Sequence, residues 1–102
     1  MEKRKPHCTL ERVKGLVAEG KVRASFAAYL GAEALGINDL QGMCDVVLGL
    51  SMQDFYKSMT TYANHAVWQD VYRTRTNKGL AVYLKLTVVE DMLIVSFKEL
   101  GR

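Results

Sequence analysis

The chain has 102 residues, 49% of them hydrophobic and 25% charged, with a formal net charge of +3. This composition describes one domain (1–102) that can bury a modest core without disulfides or metal, and it is too apolar for intrinsic disorder. No apolar run approaches the roughly 18 residues of a membrane span, and the mild charge permits nucleic-acid binding without arguing for it.

Residues Met1–His7 read as a basic arm stopped by Pro6, with no apolar region of about 7–15 residues behind it to make a signal peptide. Thr9 is placed to cap a helix, with Glu11 in its favourable first turn. Leu10, Val13, Leu16 and Val17 then recur at helical spacing up to the stop at Gly20. Lys3, Arg4, Lys5, Arg12, Lys14 and Lys21 make this region positive, which more often means a solvated face than a nucleic-acid surface. Val22–Tyr29 is ambiguous. Its alternation suits a strand, its alanines suit a helix, and a short strand is preferred, followed by a helical turn around Ala32–Leu35 ended by Gly36.

Asp39 caps the next predicted helix, whose apolar stripe is Leu40, Met43, Val46, Val47 and Leu50, with Gly49 near its end. Ser51-Met52-Gln53-Asp54 resembles a capping box opening another short helix, on which Met52, Phe55 and Met59 would share the buried face and Lys57 would point elsewhere. Thr60–Asn64 reads as a turn. From His65 the pattern becomes two-fold, with Val67, Gln69, Val71 and Arg73 on one side and Trp68, Asp70 and Tyr72 on the other. Thr74–Gly79 is a turn-rich loop.

The last quarter carries the strongest structural signal. Two alternating runs, Leu80–Val89 and Met92–Lys98, flank Glu90-Asp91 and predict a β-hairpin. With Glu90 and Asp91 at the tip, Leu84 faces Phe97, Leu86 faces Val95 and Val88 faces Leu93, all apolar and on one side. On the other side Lys85 faces Ser96 and Tyr83 faces Lys98. A one-residue shift would mix the two sets, so the pattern specifies the register. Directly opposed Cβ atoms lie about 4.5–5.5 Å apart, which makes Tyr83 and Lys98 neighbours.

Familiar catalytic patterns are missing: no glycine-rich phosphate loop, no zinc pattern and no nucleophile elbow. His7 and His65 are isolated, and the scattered acids offer no two-metal site. Cys8 and Cys44 have no metal-ligand spacing. They allow one disulfide, but two reduced thiols in a cytoplasmic protein is the preferred reading. A ribonuclease needs neither metal nor histidine, because RNA carries its own nucleophile, the 2′-hydroxyl beside the phosphate. The protein must align that oxygen, move its proton and stabilise charge on the phosphorane. Lys, Arg, Gln and Tyr supply these functions. Free Lys and Tyr have pKa values near 10, so one used as a base needs cationic neighbours or desolvation.

The aromatics and cations concentrate in Asp54–Arg73, which holds three of the five Tyr and the only Trp. Such residues stack on unpaired bases and grip phosphates, although by composition alone they more often fill a core. In order, Asp54-Phe55-Tyr56-Lys57-Ser58-Met59-Thr60-Thr61-Tyr62 and Trp68-Gln69-Asp70-Val71-Tyr72-Arg73 resemble the motility quorum-sensing regulator toxins, a RelE-like family of messenger-RNA-cleaving ribonucleases. The resemblance continues in Met1-Glu2-Lys3-Arg4, Pro6-His7, Gly42-Met43-Cys44, Gly49-Leu50, Val82-Tyr83-Leu84-Lys85 and Leu93–Glu99.

That resemblance implies an α+β, RelE-like fold, with N-terminal helices packed on a mainly antiparallel sheet that ends in the C-terminal hairpin. It implies a toxin that cleaves single-stranded messenger RNA without the ribosome, a metal or any cofactor, at GC-containing sites such as GCU. Lys57, Gln69, Tyr83 and Lys98 would be its catalytic residues: the lysines on the phosphate, Tyr83 in proton transfer, Gln69 orienting the phosphate or 2′-hydroxyl. Tyr56, Met59 and Arg73 are candidates for base contacts, and Trp68, on the face opposite Gln69, is read as packing. The implied partner is an antitoxin with a zinc-binding N-terminal domain and a DNA-binding C-terminal domain, through which alone the toxin would reach DNA. The implied physiology is growth arrest linked to stress, persistence and biofilm formation. Thr74–Leu80 departs from the family pattern, which has a proline near Thr74 and a slightly shorter loop. Read without the resemblance, the same residues fit a non-catalytic RNA-binding module or a docking surface for a partner.

Overall fold

Side-chain caps start the helices at the positions where the sequence offers them. In the computed structural model, which describes residues 1–100, Thr9 accepts from the Arg12 amide and opens α1 (Leu10–Ala18). Asp39 accepts from the Gly42 amide at 2.8 Å and opens α3 (Leu40–Leu48). Gly20 and Gly36 follow their helices at positive φ, a conformation that costs glycine nothing. Between them lie β2 (Val22–Ala24) and α2 (Phe26–Ala34).

The preferred strand over Val22–Tyr29 therefore holds only to Ala24. Ser25 ends it, because its hydroxyl accepts from the Ala28 amide at 3.0 Å and donates to the Val95 carbonyl at 2.7 Å, tying a helix start to the sheet. The helical turn expected at Ala32–Leu35 is the end of α2. Ser51–Asp54 likewise forms its reciprocal contact, with the Ser51 amide donating to Asp54 at 2.9 Å, but only one tight turn results (Met52–Asp54). Phe55 is extended and the chain enters β3 (Phe55–Thr60). Pairing with a neighbouring strand outweighs one turn of helix with no face to bury. Met52 is thus exposed, and Lys57 stands on a strand instead of a helix.

β3 is followed by β4 (Trp68–Arg75), β5 (Ala81–Val89) and β6 (Asp91–Glu99). The basic arm is also a strand in part: β1 (Glu2–Lys3) pairs with β3, Glu2 opposite Met59 and Lys3 opposite Ser58. The sheet order is β1-β3-β4-β5-β6-β2, antiparallel throughout except for the parallel β2–β6 pair. The architecture is the expected α+β. All three helices share one core with one sheet face: Val13, Leu16, Ala28, Ala32, Met43 and Val47 meet Tyr72, Val82, Leu84, Leu86, Met92, Ile94 and Phe97. Among the described residues no helix is long and apolar enough to cross a membrane.

The hairpin keeps the expected register at its open end, where Tyr83 faces Lys98, Leu84 faces Phe97 and Lys85 faces Ser96. Nearer the tip a bulge intervenes. Leu86 faces Ile94 and Val88 faces Met92, so the expected Leu86–Val95 and Val88–Leu93 pairs do not form. Glu90 turns alone at φ 68°. The additional residue in β6 inverts its alternation, so Met92 and Ile94 are fully buried while Leu93 and Val95 are only partly so.

Asp70 ties the N-terminal arm to this sheet. Its carboxylate, 4% exposed, accepts from the amides of His7 and Cys8 at 2.9 and 3.0 Å and from the Ser58 hydroxyl at 2.6 Å. Beside it His7 stacks on Trp68, with centroids 5.5 Å apart, and Lys3 Nζ sits 4.2 Å from the Trp68 ring. Trp68 therefore packs, as expected. Asp70→Ala should lower the unfolding free energy by roughly 2–3 kcal/mol and open His7 and Cys8 to amide hydrogen exchange. Unchanged protection there would show that the arm is held by something else. A Cβ on Gly31 would overlap the Phe97 carbonyl oxygen, since α2 crosses β6 at that point. Gly31→Ala should accordingly cost about 1–3 kcal/mol in urea unfolding, and an unmoved midpoint would mean that α2 yields freely.

Candidate functional site

Strand alternation sends the residues not used in the core to the opposite, helix-free face of the sheet. Lys57, Val71, Lys85 and Ser96 form one row across β3, β4, β5 and β6. Arg73, Tyr83 and Lys98 form the next row on one side. Glu2, Met59 and Gln69 form the row on the other side. Every residue singled out from the sequence reaches this face or its edge.

Lys57 owes its place to a bulge. Phe55 pairs with Tyr72 and Lys57 with Val71, leaving Tyr56 as the additional residue. Without it Phe55 and Lys57, two residues apart, would point the same way. With it, Phe55 packs edge-on against the buried Tyr72 ring at 5.5 Å, and Lys57 is delivered to the open face. Tyr56 comes to lie beneath Arg73, whose guanidinium carbon is 3.6 Å from the ring centroid, and Lys57 Nζ is 5.3 Å from the same ring. Tyr56 and Arg73 are thus preassembled as a stacked platform.

Tyr83 and Lys98 are the neighbours that the register demanded, with Lys98 Nζ 5.1 Å from the Tyr83 ring centroid. Gln69 stands apart from this pair. It lies four residues along β4 from Arg73, about 13 Å at strand spacing, on the far side of Lys57. The seven residues therefore line a track across the sheet, with Lys57 near its middle.

Two residues escaped the sequence reading. Glu2, on β1, receives a hydrogen bond from Lys57 Nζ at 2.8 Å. No local pattern in the sequence brings Glu2 to Lys57, because the two are 55 residues apart, more than half the chain. The contact holds the Lys57 ammonium above the usual lysine range, and Lys57 in turn holds the Glu2 carboxyl below its own. The second is Lys85, in the row between Lys57 and Ser96. Burial, then the charges of Lys98 and Lys57, push its ammonium below the ordinary value. Its signal was present in the sequence, since Lys85 alternates in phase with Tyr83. Val71 is fully buried yet outside the helix-side core.

Residues 5–99 match the family described as motility quorum-sensing regulator, toxin of MqsA. The chain is also 60% identical over 99 residues to the mRNA interferase toxin MqsR of Escherichia coli (strain K12), covering 97% of this chain and 99% of that protein.

The Glu2–Lys57 pair is exposed enough to be tested in solution. Glu2→Gln should move the Lys57 ammonium pKa downward, read from the side-chain resonances of Lys57 in a pH titration by NMR. A titration identical to that of the unchanged protein would show that the pair does not form.

Proposed function

The chain belongs to the motility quorum-sensing regulator toxin family, and we propose that it is a toxin acting as an endoribonuclease on messenger RNA in the cytoplasm. The observation that carries this reading is the grouping of Lys57, Tyr83, Lys98 and Arg73 on one open sheet face with a stacked aromatic beside them. An open face suits a single strand, whose bases can be laid on aromatic and guanidinium planes while its phosphates meet ammonium groups.

In the proposed reaction the 2′-hydroxyl attacks the adjacent phosphorus. Lys57, held in place by Glu2, binds the phosphate and offsets charge that develops on its oxygens. Lys98 does the same from β6. Tyr83 takes part in proton transfer, and Gln69, from its place beyond Lys57, orients the phosphate or the 2′-hydroxyl. Tyr56, Met59 and Arg73 contact bases, with preference for GC-containing sites such as GCU. The reaction uses no metal or cofactor and does not require the ribosome. An antitoxin partner, built from a zinc-binding N-terminal and a DNA-binding C-terminal domain, restrains the toxin and links it to DNA. The physiological outcome is growth arrest under stress, with persistence and biofilm formation as its consequences.

Primer extension on a mixed messenger RNA tests this reading. The protein should cut at GCU-like sites in EDTA, leave 2′,3′-cyclic phosphate ends and spare a substrate carrying 2′-deoxyribose at the cut position. Lys57→Ala should slow cutting by roughly 100-fold or more while RNA binding weakens modestly. Intact RNA after incubation with the unchanged protein would rule out the enzymatic reading in favour of a binding or docking module.

A further inference from the structure

We infer that Lys85 is a further catalytic residue of this face, the amine that takes the 2′-hydroxyl proton of the RNA; the inference rests on the endoribonuclease reading above. Position is the first argument. Lys57 stands on β3 and Lys98 on β6, three strands and roughly 14 Å apart at sheet spacing. A phosphate gripped by both must lie between them, over β4 and β5. In the Lys57 row the residues there are Val71, which has no polar chemistry, and Lys85.

The second argument is the commitment of the other cations. Lys57 gives its ammonium to Glu2 at 2.8 Å. Arg73 lies on the Tyr56 ring, and a guanidinium does not give up its proton. Lys98 lies against the Tyr83 ring. Among the described residues the ion pairs are Lys57–Glu2 and Lys21–Glu19, so Lys85 has no carboxylate to hold its charge. The charges that act on it favour loss of its proton, Lys98 from β6 and Lys57 from β3; Arg73 of β4 and Tyr83 of its own strand stand in the next row, and Glu2 is engaged by Lys57. Partial burial acts in the same direction.

The step balances without a co-reactant. The neutral Lys85 amine accepts the 2′-hydroxyl proton while the oxygen's electron pair forms the bond to phosphorus. The bond from phosphorus to the 5′-oxygen breaks, its pair stays on that oxygen, and the Tyr83 hydroxyl supplies the proton. The Lys85 ammonium then returns a proton to the Tyr83 phenolate through solvent, and the products are a 2′,3′-cyclic phosphate and a 5′-hydroxyl.

The test is a pH profile of kcat on a short GCU-containing RNA for the full chain and its Lys85→Arg and Lys85→Ala variants, with folding checked by circular dichroism. Lys85→Arg keeps the stem and the cationic form but cannot become a neutral amine, and binding of the 2′-deoxy analogue should change less than about 3-fold. Its kcat should nevertheless fall by roughly 100-fold or more, and the rise of kcat with pH should flatten. Methylamine should restore part of the rate to Lys85→Ala, an effect that a structural role would not produce. Lys85→Arg within about 3-fold of the unchanged protein, or no rescue of Lys85→Ala by amine, would overturn the assignment. Lys57→Ala and Lys98→Ala in the same assay separate the two levels. If both cleave normally, the site reading itself fails; if both are inactive while Lys85→Arg is active, only the role of Lys85 fails.

Discussion

A carboxylate taken out of water must be met by donors, and Asp70 is met by three: two amides of the N-terminal arm and the Ser58 hydroxyl of β3. Charge-assisted bonds of this kind are short and strong, and leaving any one unmade inside a protein is costly. Asp70 therefore fixes where the arm crosses the sheet. From that crossing follow the Trp68–His7 stack, the β1–β3 pairing and the arrival of Glu2 at Lys57. A buried carboxylate on the core side thus helps to place the partner of a lysine on the open face.

The sheet separates two kinds of chemistry by direction alone. Successive residues of β4 and β5 alternate between the helix-packed core and the open face, so Leu84 and Leu86 build the core while Tyr83 and Lys85 stay available for chemistry. No deep pocket is needed to bring the cations together, because Lys57, Arg73, Lys85 and Lys98 stand on four successive strands of a rigid support. Groups on strands are held more firmly than groups on loops, which suits the proposed reaction, in which alignment supplies much of the rate.

Two departures from regular alternation adapt this scheme. The bulge at Tyr56 lets Phe55 and Lys57 face opposite ways and places Tyr56 under Arg73. The bulge in β6 puts Met92 and Ile94 in the core while Phe97 remains there and Lys98 remains outside. The inserted residue in β3 sends Phe55 and Lys57 to opposite faces, and the one in β6 lets Ile94 and Phe97, three residues apart, share the core. Bulges beside a functional surface commonly serve to re-aim side chains in this way.

Local chemistry was legible in the sequence wherever a few adjacent residues determine the outcome. Thr9 and Asp39 capped their helices, Gly20 and Gly36 ended theirs, and alternation at the open end of the hairpin specified that Tyr83 meets Lys98. The order of residues around Lys57, Gln69, Tyr83 and Lys98 carried the family. What escaped was decided by partners distant in sequence. The helix expected after Ser51 stopped at one turn and gave way to a strand at Phe55, where β4 offered a ladder, and the basic arm became an edge strand because Asp70 held it. Lys85 and Glu2 share the open face with Lys57 because strand pairing brought them there. Caps and alternation act within a few residues, so a sequence displays them. Bulges, burial of a charge and the assembly of an electrostatic cluster depend on which strands pair, and only the tertiary structure makes that choice.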